Sequence, residues 1–210
     1  FREGEVICIN KPYKVSSFGA LAFVRTRISR ALGIKRVKIG HAGTLDPLAT
    51  GVLVLCTGKA TKRIDEFMQH DKEYTATLQF GATTASFDME HPESEWFEKD
   101  HITENGLREE LKKFVGNIKQ VPPVYSACNV NGKRAYQLAR KDREVELKAK
   151  PVRIEEIELL EFDDEKKAAR IRVVCGKGTY IRALARDIGE AMHSGAYLTQ
   201  LCRTKAGSFS

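Results

Sequence analysis

Apolar and polar residues alternate most clearly between Tyr74 and Phe80, where every second side chain is apolar. This two-residue period predicts a strand with one buried face. Unbroken apolar runs at Val6 to Ile9 and at Val52 to Cys56 predict strands that are buried on both faces. Shorter apolar patterns predict further strands at 124–130, 154–160, 169–175 and from residue 198 onward.

Apolar residues at helical spacing predict three amphipathic helices. The first begins at Ser16 or Ser17 and ends before Gly33, and the second follows a Thr103 cap and closes at Gly116. The third runs from about Thr179 to Met192. Residues 59–69 and 133–141 are also expected to be helical, and Asn131-Gly132 indicates a turn. Residues 35–51 are expected to form a loop, and residues 81–101 are expected to form a polar excursion on the surface.

Strands and helices are mixed along the chain without regular strand–helix–strand repetition. This order favours an α+β fold around a mixed, largely antiparallel central sheet flanked by helices and loops. No internal repeat or low-complexity linker interrupts the 210 residues, so a single domain over 1–210 is predicted.

Charge changes the picture, because 35 Lys and Arg against 28 Asp and Glu give a net charge of +7 and a pI of 9.1. Basic residues cluster at 25–38 and 133–150, whereas acidic residues concentrate at 93–110 and 155–165. A segregated basic face points to a polyanionic partner, although basic residues also serve solubility. No apolar run approaches the roughly 18 residues of a membrane-spanning helix.

The five cysteines, Cys8, Cys56, Cys128, Cys175 and Cys202, are odd in number and widely spaced, with no CxxC pair. They are expected to be buried thiols in a reducing cytosol, with neither disulfides nor a metal.

The stretch GHAGTLDPLATGVL, residues 40–53, places one carboxylate, Asp46, among small and apolar residues. Asp before Pro is a favourable helix start, so local spacing alone favours a helix cap. Any such helix is limited to about one turn by Gly51. Because the following proline restricts Asp46 to extended geometry, the loop also suits a carboxylate held in one fixed pose.

A carboxylate beside a polyanion needs a cation, and the stretch Gly-Lys-Gly-Thr-Tyr-Ile-Arg at 176–182 offers Arg182. A guanidinium can hold a carboxylate with two hydrogen bonds, although Arg182 could equally be an exposed helix arginine. Lys11, Lys59 and Lys62 do not form a nucleotide-binding loop, because the sequence GxxxxGK[ST] is absent. His41 alone is more typical of a structural histidine.

Several stretches, in this order and spacing, resemble the TruB-type tRNA pseudouridine synthases, which are relatives of dyskerin. They are Asn10-Lys11-Pro12, GHAGTLDPLATGVL, Gly58 to Lys62, Lys72-Glu73-Tyr74, Val121 to Ala127, Gly132 to Tyr136 and Gly176 to Arg182. The match covers nearly the whole chain. The resemblance implies a mixed-sheet catalytic domain that isomerises uridine 55 in the TΨC arm of tRNA without a cofactor or metal.

The resemblance also implies roles for single residues. Asp46 matches the catalytic aspartate, and Arg182 matches the arginine paired with it. Tyr74 matches a tyrosine that stacks on the target base and moves a proton, so all three residues are expected to be catalytic. The remaining matches contact the substrate. Tyr180 and Leu201 contact the base, and His41 enters the RNA loop at the place that the base has left. Lys11 and Lys62 bind the RNA. Residues 122–148 match an insertion that closes over the RNA arm.

The resemblance further implies a cytoplasmic, monomeric enzyme whose partner is the tRNA TΨC stem-loop, with no membrane association. Longer members continue into a small RNA-binding PUA domain, and no complete one is expected within the 210 residues. Two alternatives stay open at this point: a non-catalytic RNA-binding module that uses the basic face, and a purely structural cap at Asp46.

Overall fold

Long apolar strands supply the frame of the fold. The computed structural model describes residues 1, 3–126, 129–130, 133–134 and 147–210. The strands are β1 (Val6–Lys11), β2 (Ile39–His41), β3 (Thr50–Thr57), β4 (Lys72–Phe80), β5 (Ala82–Thr84), β6 (Glu93–Trp96), β7 (Gly116–Gln120), β8 (Asn129–Val130), β9 (Lys133–Arg134), β10 (Lys150–Asp163), β11 (Ala168–Cys175) and β12 (Ala196–Ala206). The α-helices are α1 (Ser17–Ala31), α2 (Ile64–Gln69), α3 (Glu104–Lys112) and α4 (Ile181–Ala191), and a 3-10 helix spans Gly58–Arg63.

The main sheet has the strand order β1-β3-β12-β4-β11-β10-β7, and β2 also pairs with β3. Strand β12 pairs with β3 in parallel. Strands β1 and β2 both pair with β3 in antiparallel fashion, and strands β7 and β11 both pair with β10 in antiparallel fashion. The predicted α+β class with a mixed, largely antiparallel sheet is therefore confirmed. The chain divides into two compact units, residues 1–75 with 200–210 and residues 76–199; a single domain stays a prediction.

The first unit packs apolar residues around the buried strand β3. Val52 and Val54 form a cluster with Ala42 and Ala206, against which Ile64 and Phe67 pack. Helix α1 begins as predicted, because Ser16 Oγ accepts a hydrogen bond of 3.0 Å from the Gly19 amide.

The second unit contains the antiparallel strands β7, β10 and β11, the β5–β6 hairpin, and helices α3 and α4. Thr103 caps α3 by accepting from the Gly106 amide at 3.1 Å, as predicted, and Leu107 and Leu111 are buried. Helix α4 buries almost its whole first two turns.

Most predicted strands are confirmed: β1, β3, β4, β10, β11 and β12 all include the predicted residues. The burial of β4 alternates at every residue from Lys72 to Phe80, as its sequence pattern requires. The helix expected at 59–69 begins as the 3-10 helix and continues as α2.

Other local predictions were wrong. The loop expected at 35–51 contains β2, whose three residues are too few to show a period. The segment 81–101 is only partly on the surface, because Thr84, Ser86 and Asp88 are buried. Thr84 and Ser86 each donate a hydrogen bond to Asp88. Strand β7 was not predicted, since its one buried residue, Gln120, is polar and Ile118 is its single apolar residue.

Of the strand expected at 124–130, residues 124–126 are not strand, Asn129–Val130 form β8, and 127–128 lie outside the described residues. Phe114 and Val115 lie beyond the end of α3. The turn at Asn131-Gly132, the helix expected at 133–141 beyond β9, and most of the insertion at 122–148 lie outside the described residues.

No disulfide joins the four described cysteines. Cys56 and Cys175 are buried as predicted, but Cys8 is exposed on β1, which stands at the end of the sheet order, and Cys202 is half-buried. Cys128 lies outside the described residues. Within the described part of the chain, no helix is long and apolar enough to cross a bilayer.

Candidate active site

Asp46 lies in the connection between β2 and β3 and is half-buried. The Ala49 amide donates to the Asp46 carbonyl oxygen at 3.1 Å, which closes a tight turn. The one-turn helix considered for this stretch does not form, so Asp46 caps no helix. Its side chain therefore projects from a short turn that must be held by contacts from elsewhere.

Lys11 is one such contact, and its side chain is fully buried. Its Nζ donates to the carbonyl oxygens of Pro12 at 2.9 Å, Val15 at 2.6 Å and Pro47 at 3.2 Å. Burial lowers the pKa of Lys11, and the Asp46 carboxylate opposes this by stabilising the charged ammonium. Lys11 thus joins the end of β1 and the entry to α1 to the residue directly after Asp46.

Ser17 fixes the other side of the turn. Its Oγ donates to the Leu45 carbonyl oxygen and accepts from the Leu45 amide, each at 2.8 Å and in a buried setting. Because Ser17 is the first residue of α1, the helix start and the residue before Asp46 are joined through both backbone groups. The Asp46 turn is therefore tied on both sides.

Arg203 on β12 is a further buried cation beside this loop, and its whole residue is only 1% exposed. Its Nε donates to the Val52 carbonyl oxygen at 2.8 Å, and its Nη2 donates to the Gly43 carbonyl oxygen at 3.0 Å. Strands β12 and β3 approach so closely that a Cβ on Gly51, which has φ +102°, would overlap the Arg203 carbonyl group. Arg203 was not predicted, because nothing in the neighbouring sequence distinguishes it from an exposed strand arginine.

His41 ends β2 opposite Leu55 and is half-buried. Its buried Nδ1 has no hydrogen-bond partner among the described residues. Burial lowers its pKa, and the charge of Arg203 lowers it further, so the imidazole is neutral at pH 7. A structural histidine would normally satisfy both ring nitrogens, so this geometry does not favour the structural interpretation.

The other first-unit residues lie on separate elements. Tyr74 is buried on β4, Leu201 is half-buried on β12 two residues before Arg203, and Lys62 is exposed on the 3-10 helix. Thr204 Oγ1 donates to the Glu73 carboxylate at 2.8 Å, which ties the strand residue before Tyr74 to β12.

Tyr180 and Arg182 lie in the second unit at the start of α4. Gln120 holds the residue before this helix by accepting from the Tyr180 amide at 2.8 Å and donating to its carbonyl oxygen at 3.2 Å. The side chain of Tyr180, at the cap position itself, makes no capping hydrogen bond.

Arg182 is buried, which excludes the exposed helix arginine considered from the sequence. Its Nη1 donates to the Ser86 carbonyl oxygen at 2.9 Å and its Nη2 to that of Tyr125 at 2.8 Å. Its Nε lies 3.7 Å from Asp88 Oδ2, and Asp88 is also buried. Asp88 in turn accepts hydrogen bonds from Ser86 Oγ at 2.6 Å and the Glu90 amide at 3.0 Å.

The structure therefore joins Lys11 to the Asp46 turn in the first unit, and Tyr180 and Arg182 to buried polar partners in the second. That Arg182 pairs with Asp46 stays a prediction. Among the described residues, no group of three or more His, Cys, Asp or Glu is placed to hold a metal ion.

Comparisons with known proteins agree with this architecture. Residues 29–181 match the family described as TruB family pseudouridylate synthase (N terminal domain). The chain is 61% identical over 209 residues to tRNA pseudouridine synthase B of Bacteroides thetaiotaomicron. The similarity covers 99% of this chain and 87% of that protein. The chain is 46% identical over 210 residues to the protein of the same name from Flavobacterium johnsoniae, and that similarity covers 100% of this chain and 91% of that protein.

Among solved structures, the crystal structure of a Cbf5-Nop10-Gar1 complex contains a similar chain with a TM-score of 0.72 and 29% identity. The similarity covers 100% of the chain described here and 50% of that chain. The described fold is thus shared with half of a longer protein.

Proposed function

The chain belongs to the TruB family of pseudouridylate synthases and is an isomerase, and on that premise we propose that it converts uridine 55 in the TΨC arm of tRNA to pseudouridine. The N1–C1′ bond breaks, the uracil turns, and a C5–C1′ bond forms. The proton on C5 leaves to solvent and N1 gains one, so product and substrate are isomers. We expect a cytoplasmic monomer that uses no cofactor or metal.

The observation that carries this proposal is the fixed position of the Asp46 turn. Lys11 and Ser17 hold the residues on either side of Asp46, and Arg203 holds Gly43. The turn caps no helix and is nevertheless held on both sides, which suits a carboxylate kept in one fixed pose for chemistry. Asp46 acts as the nucleophile on the sugar or the base, which divides cleavage of the N1–C1′ bond into easier steps.

Lys11 supports this role by positioning. Its Nζ already donates to three carbonyl oxygens, and its side chain is fully buried. These contacts favour a lysine that fixes the Asp46 turn over one that binds RNA directly. Lys62, which is exposed, keeps the proposed role of an RNA contact.

The target base must leave its stack before Asp46 can reach it, at a cost of a few kcal/mol. Stacking on Tyr74 returns about 1–3 kcal/mol, and Tyr180 and Leu201 contact the same base. His41 enters the RNA loop at the place that the base has left. Its neutral ring suits this position, because a buried imidazolium would need a counter-charge.

Arg182 is proposed to orient the Asp46 carboxylate. Its hydrogen bonds to Ser86 and Tyr125 and its ion pair with Asp88 support this role, because they restrict the guanidinium to one orientation.

Carbodiimide adduct mapping by primer extension tests the substrate assignment. The protein is incubated with a tRNA transcript and with a matched transcript that carries cytidine at position 55. In the first transcript we expect primer extension to stop at one new position, the one produced by an adduct on nucleotide 55. In the second transcript we expect no new stop. A modified uridine elsewhere, or no modified uridine, would refute uridine 55 as the target.

A further inference from the structure

The basic charge of the chain is concentrated in one segment. Residues 6–45 contain eight Lys or Arg and no Asp or Glu, so the other 170 residues carry 27 basic and 28 acidic side chains. The whole positive net charge of the protein therefore originates in β1, α1, β2 and their connections. Most of these cations are not explained by the Asp46 site, where only Lys11 takes part.

Four of them line one concavity at the end of α1, which we call the α1 basic surface. Its members are Arg25, Arg30, Lys35 and Arg36. All are exposed except Arg25, which is half-buried. Arg27 and Lys38 are exposed cations close to them in sequence.

The concavity has a fixed wall, because Ser29 attaches the following segment to the helix. Ser29 Oγ accepts from the Val37 amide at 3.0 Å in a buried setting, and its carbonyl oxygen accepts from the Ile34 amide at 3.0 Å. Val37 is only 3% exposed. Lys35 and Arg36 are thus carried by a short segment that is pinned at both sides to α1.

Within the described part of the chain, no carboxylate forms a salt bridge with any member of the α1 basic surface. Cations at a helix C-terminus gain about 0.3–1 kcal/mol each from the helix dipole, and this interaction explains the position of one or two of these cations. Four clustered cations without acidic partners among the described residues repel one another, and a partner with several closely spaced negative charges stabilises them.

Two exposed aromatic rings lie beside arginines of α1. Arg25 Cζ lies 5.8 Å from the Phe18 ring centroid, and Arg27 Cζ lies 5.1 Å from that of Phe23. At about 100° per residue, Phe18 and Phe23 point about 140° apart around the helix. The exposed side of α1 therefore has no continuous apolar face, and its apolar stripe, with Leu21 and Ile28, is already buried. This arrangement does not suit insertion into a bilayer surface.

The surface is also continuous with the Asp46 site. Ser17 at the start of α1 bonds to Leu45, and Arg25 and Arg30 lie about 12–20 Å along the helix from Ser17. A folded RNA whose base reaches Asp46 is large enough to present its backbone at that distance.

We propose that the α1 basic surface binds the phosphate backbone of the substrate tRNA, about 12–20 Å along α1 from the Asp46 turn. That the bound RNA is tRNA rests on the proposed function. The surface contributes affinity and register, whereas Asp46 and its neighbours carry out the reaction.

The test replaces Arg30, Lys35 and Arg36 with Gln together and measures tRNA affinity over a range of KCl concentrations. Removing one cation that neutralises a phosphate lowers the slope of log affinity against log salt by about 0.9, so the slope should fall by about 2–3. The Kd for tRNA should rise about tenfold or more at roughly 0.1 M KCl. The maximal rate at saturating tRNA should change by less than about twofold, because the chemical step at Asp46 does not involve this surface.

The matched control replaces Lys112, Lys113 and Lys166 with Gln, which removes the same charge from exposed lysines of the second unit. It should leave the salt slope within about one unit of the wild type. Thermal unfolding of both variants checks that each is folded. An unchanged slope and Kd in the folded Arg30/Lys35/Arg36 variant would overturn the proposal.

The outcome is separable from that of the proposed function. A wild type that forms no pseudouridine, but whose tRNA salt slope falls in the variant, would contradict the reaction and support the surface. Co-sedimentation with phosphatidylserine vesicles provides the remaining control. Vesicle binding that is tighter than tRNA binding, and abolished in the same variant, would assign the surface to a membrane and overturn the proposal.

Discussion

Arg182 Nε lies 3.7 Å from Asp88 Oδ2, and the two side chains are only 4% and 7% exposed. This buried pair connects the start of α4 to the segment between the hairpin strands β5 and β6. Breaking one partner of a buried ion pair typically costs about 3–5 kcal/mol, because the other charge stays desolvated. The pair therefore bears on both stability and the orientation of Arg182.

Asp88→Asn should lower the free energy of unfolding by about 3 kcal/mol in urea titrations. It should also slow pseudouridine formation at saturating tRNA by roughly tenfold or more, because Arg182 loses one of the groups that orient it. The control is Glu158→Gln, which removes one carboxylate from the more exposed Arg172 and should cost less than about 1 kcal/mol. Equal effects of the two variants would contradict a special role for the Asp88 pair.

Lys11→Met should destabilise the protein by about 3 kcal/mol, since three partly buried carbonyl oxygens lose a charged donor. It should also reduce the rate at saturating tRNA, because Pro47 beside Asp46 is no longer held. Urea unfolding and single-turnover rates measure the two effects. Lys59→Met is the control, because Lys59 is exposed and pairs only with the exposed Glu3 among the described residues. If Lys11→Met retained full stability, Lys11 would not position the turn.

Gly51→Ala should destabilise the protein by at least about 3 kcal/mol. Gly51 has φ +102°, and a Cβ there would overlap the backbone of Arg203. At Gly33, which has φ +61°, a Cβ would meet nothing within 4 Å, so Gly33→Ala should cost only about 1 kcal/mol. Thermal unfolding compares the two. Similar losses would show that the close approach of β3 and β12 is not the cause.

Stability near His41 should depend on pH. Its folded pKa lies below the usual 6.5, so below pH 6.5 the unfolded chain binds the proton more readily and stability falls. His41→Gln removes this contribution. Wild type should therefore lose up to about 1.4 kcal/mol per pH unit relative to the variant as pH falls from 6.5 toward the folded pKa. Urea midpoints at about pH 7.5, 6.5 and 5.5 measure the difference, and a constant difference would contradict a neutral, buried His41.

The sequence predicted those elements that its local pattern determines. The alternation in β4, the apolar run in β3 and the Ser16 and Thr103 caps each depend on a few neighbouring residues. Strands β2 and β7 were missed because one is very short and the other presents polar residues. Both form because a neighbouring strand supplies their hydrogen bonds, which a local pattern does not record.

The candidate site follows the same division. The resemblance indicated Asp46 and Arg182, whereas Arg203, Asp88 and Gln120 were found only in the structure. Each of these three is a polar residue whose burial depends on partners distant in sequence, such as Val52 for Arg203 and Tyr180 for Gln120. Nothing in the adjacent sequence distinguishes such a residue from a solvated one.

The central claim is that the Asp46 carboxylate performs chemistry and does not serve as a structural cap. The most direct measurement is tritium release from tRNA labelled at uracil C5, with wild type, Asp46→Asn and the exposed-residue control Asp65→Asn. We predict release by wild type and Asp65→Asn, and a decrease of at least about 10³-fold in Asp46→Asn with a melting temperature within about 2 °C of wild type. Release by Asp46→Asn at the wild-type rate would contradict the account.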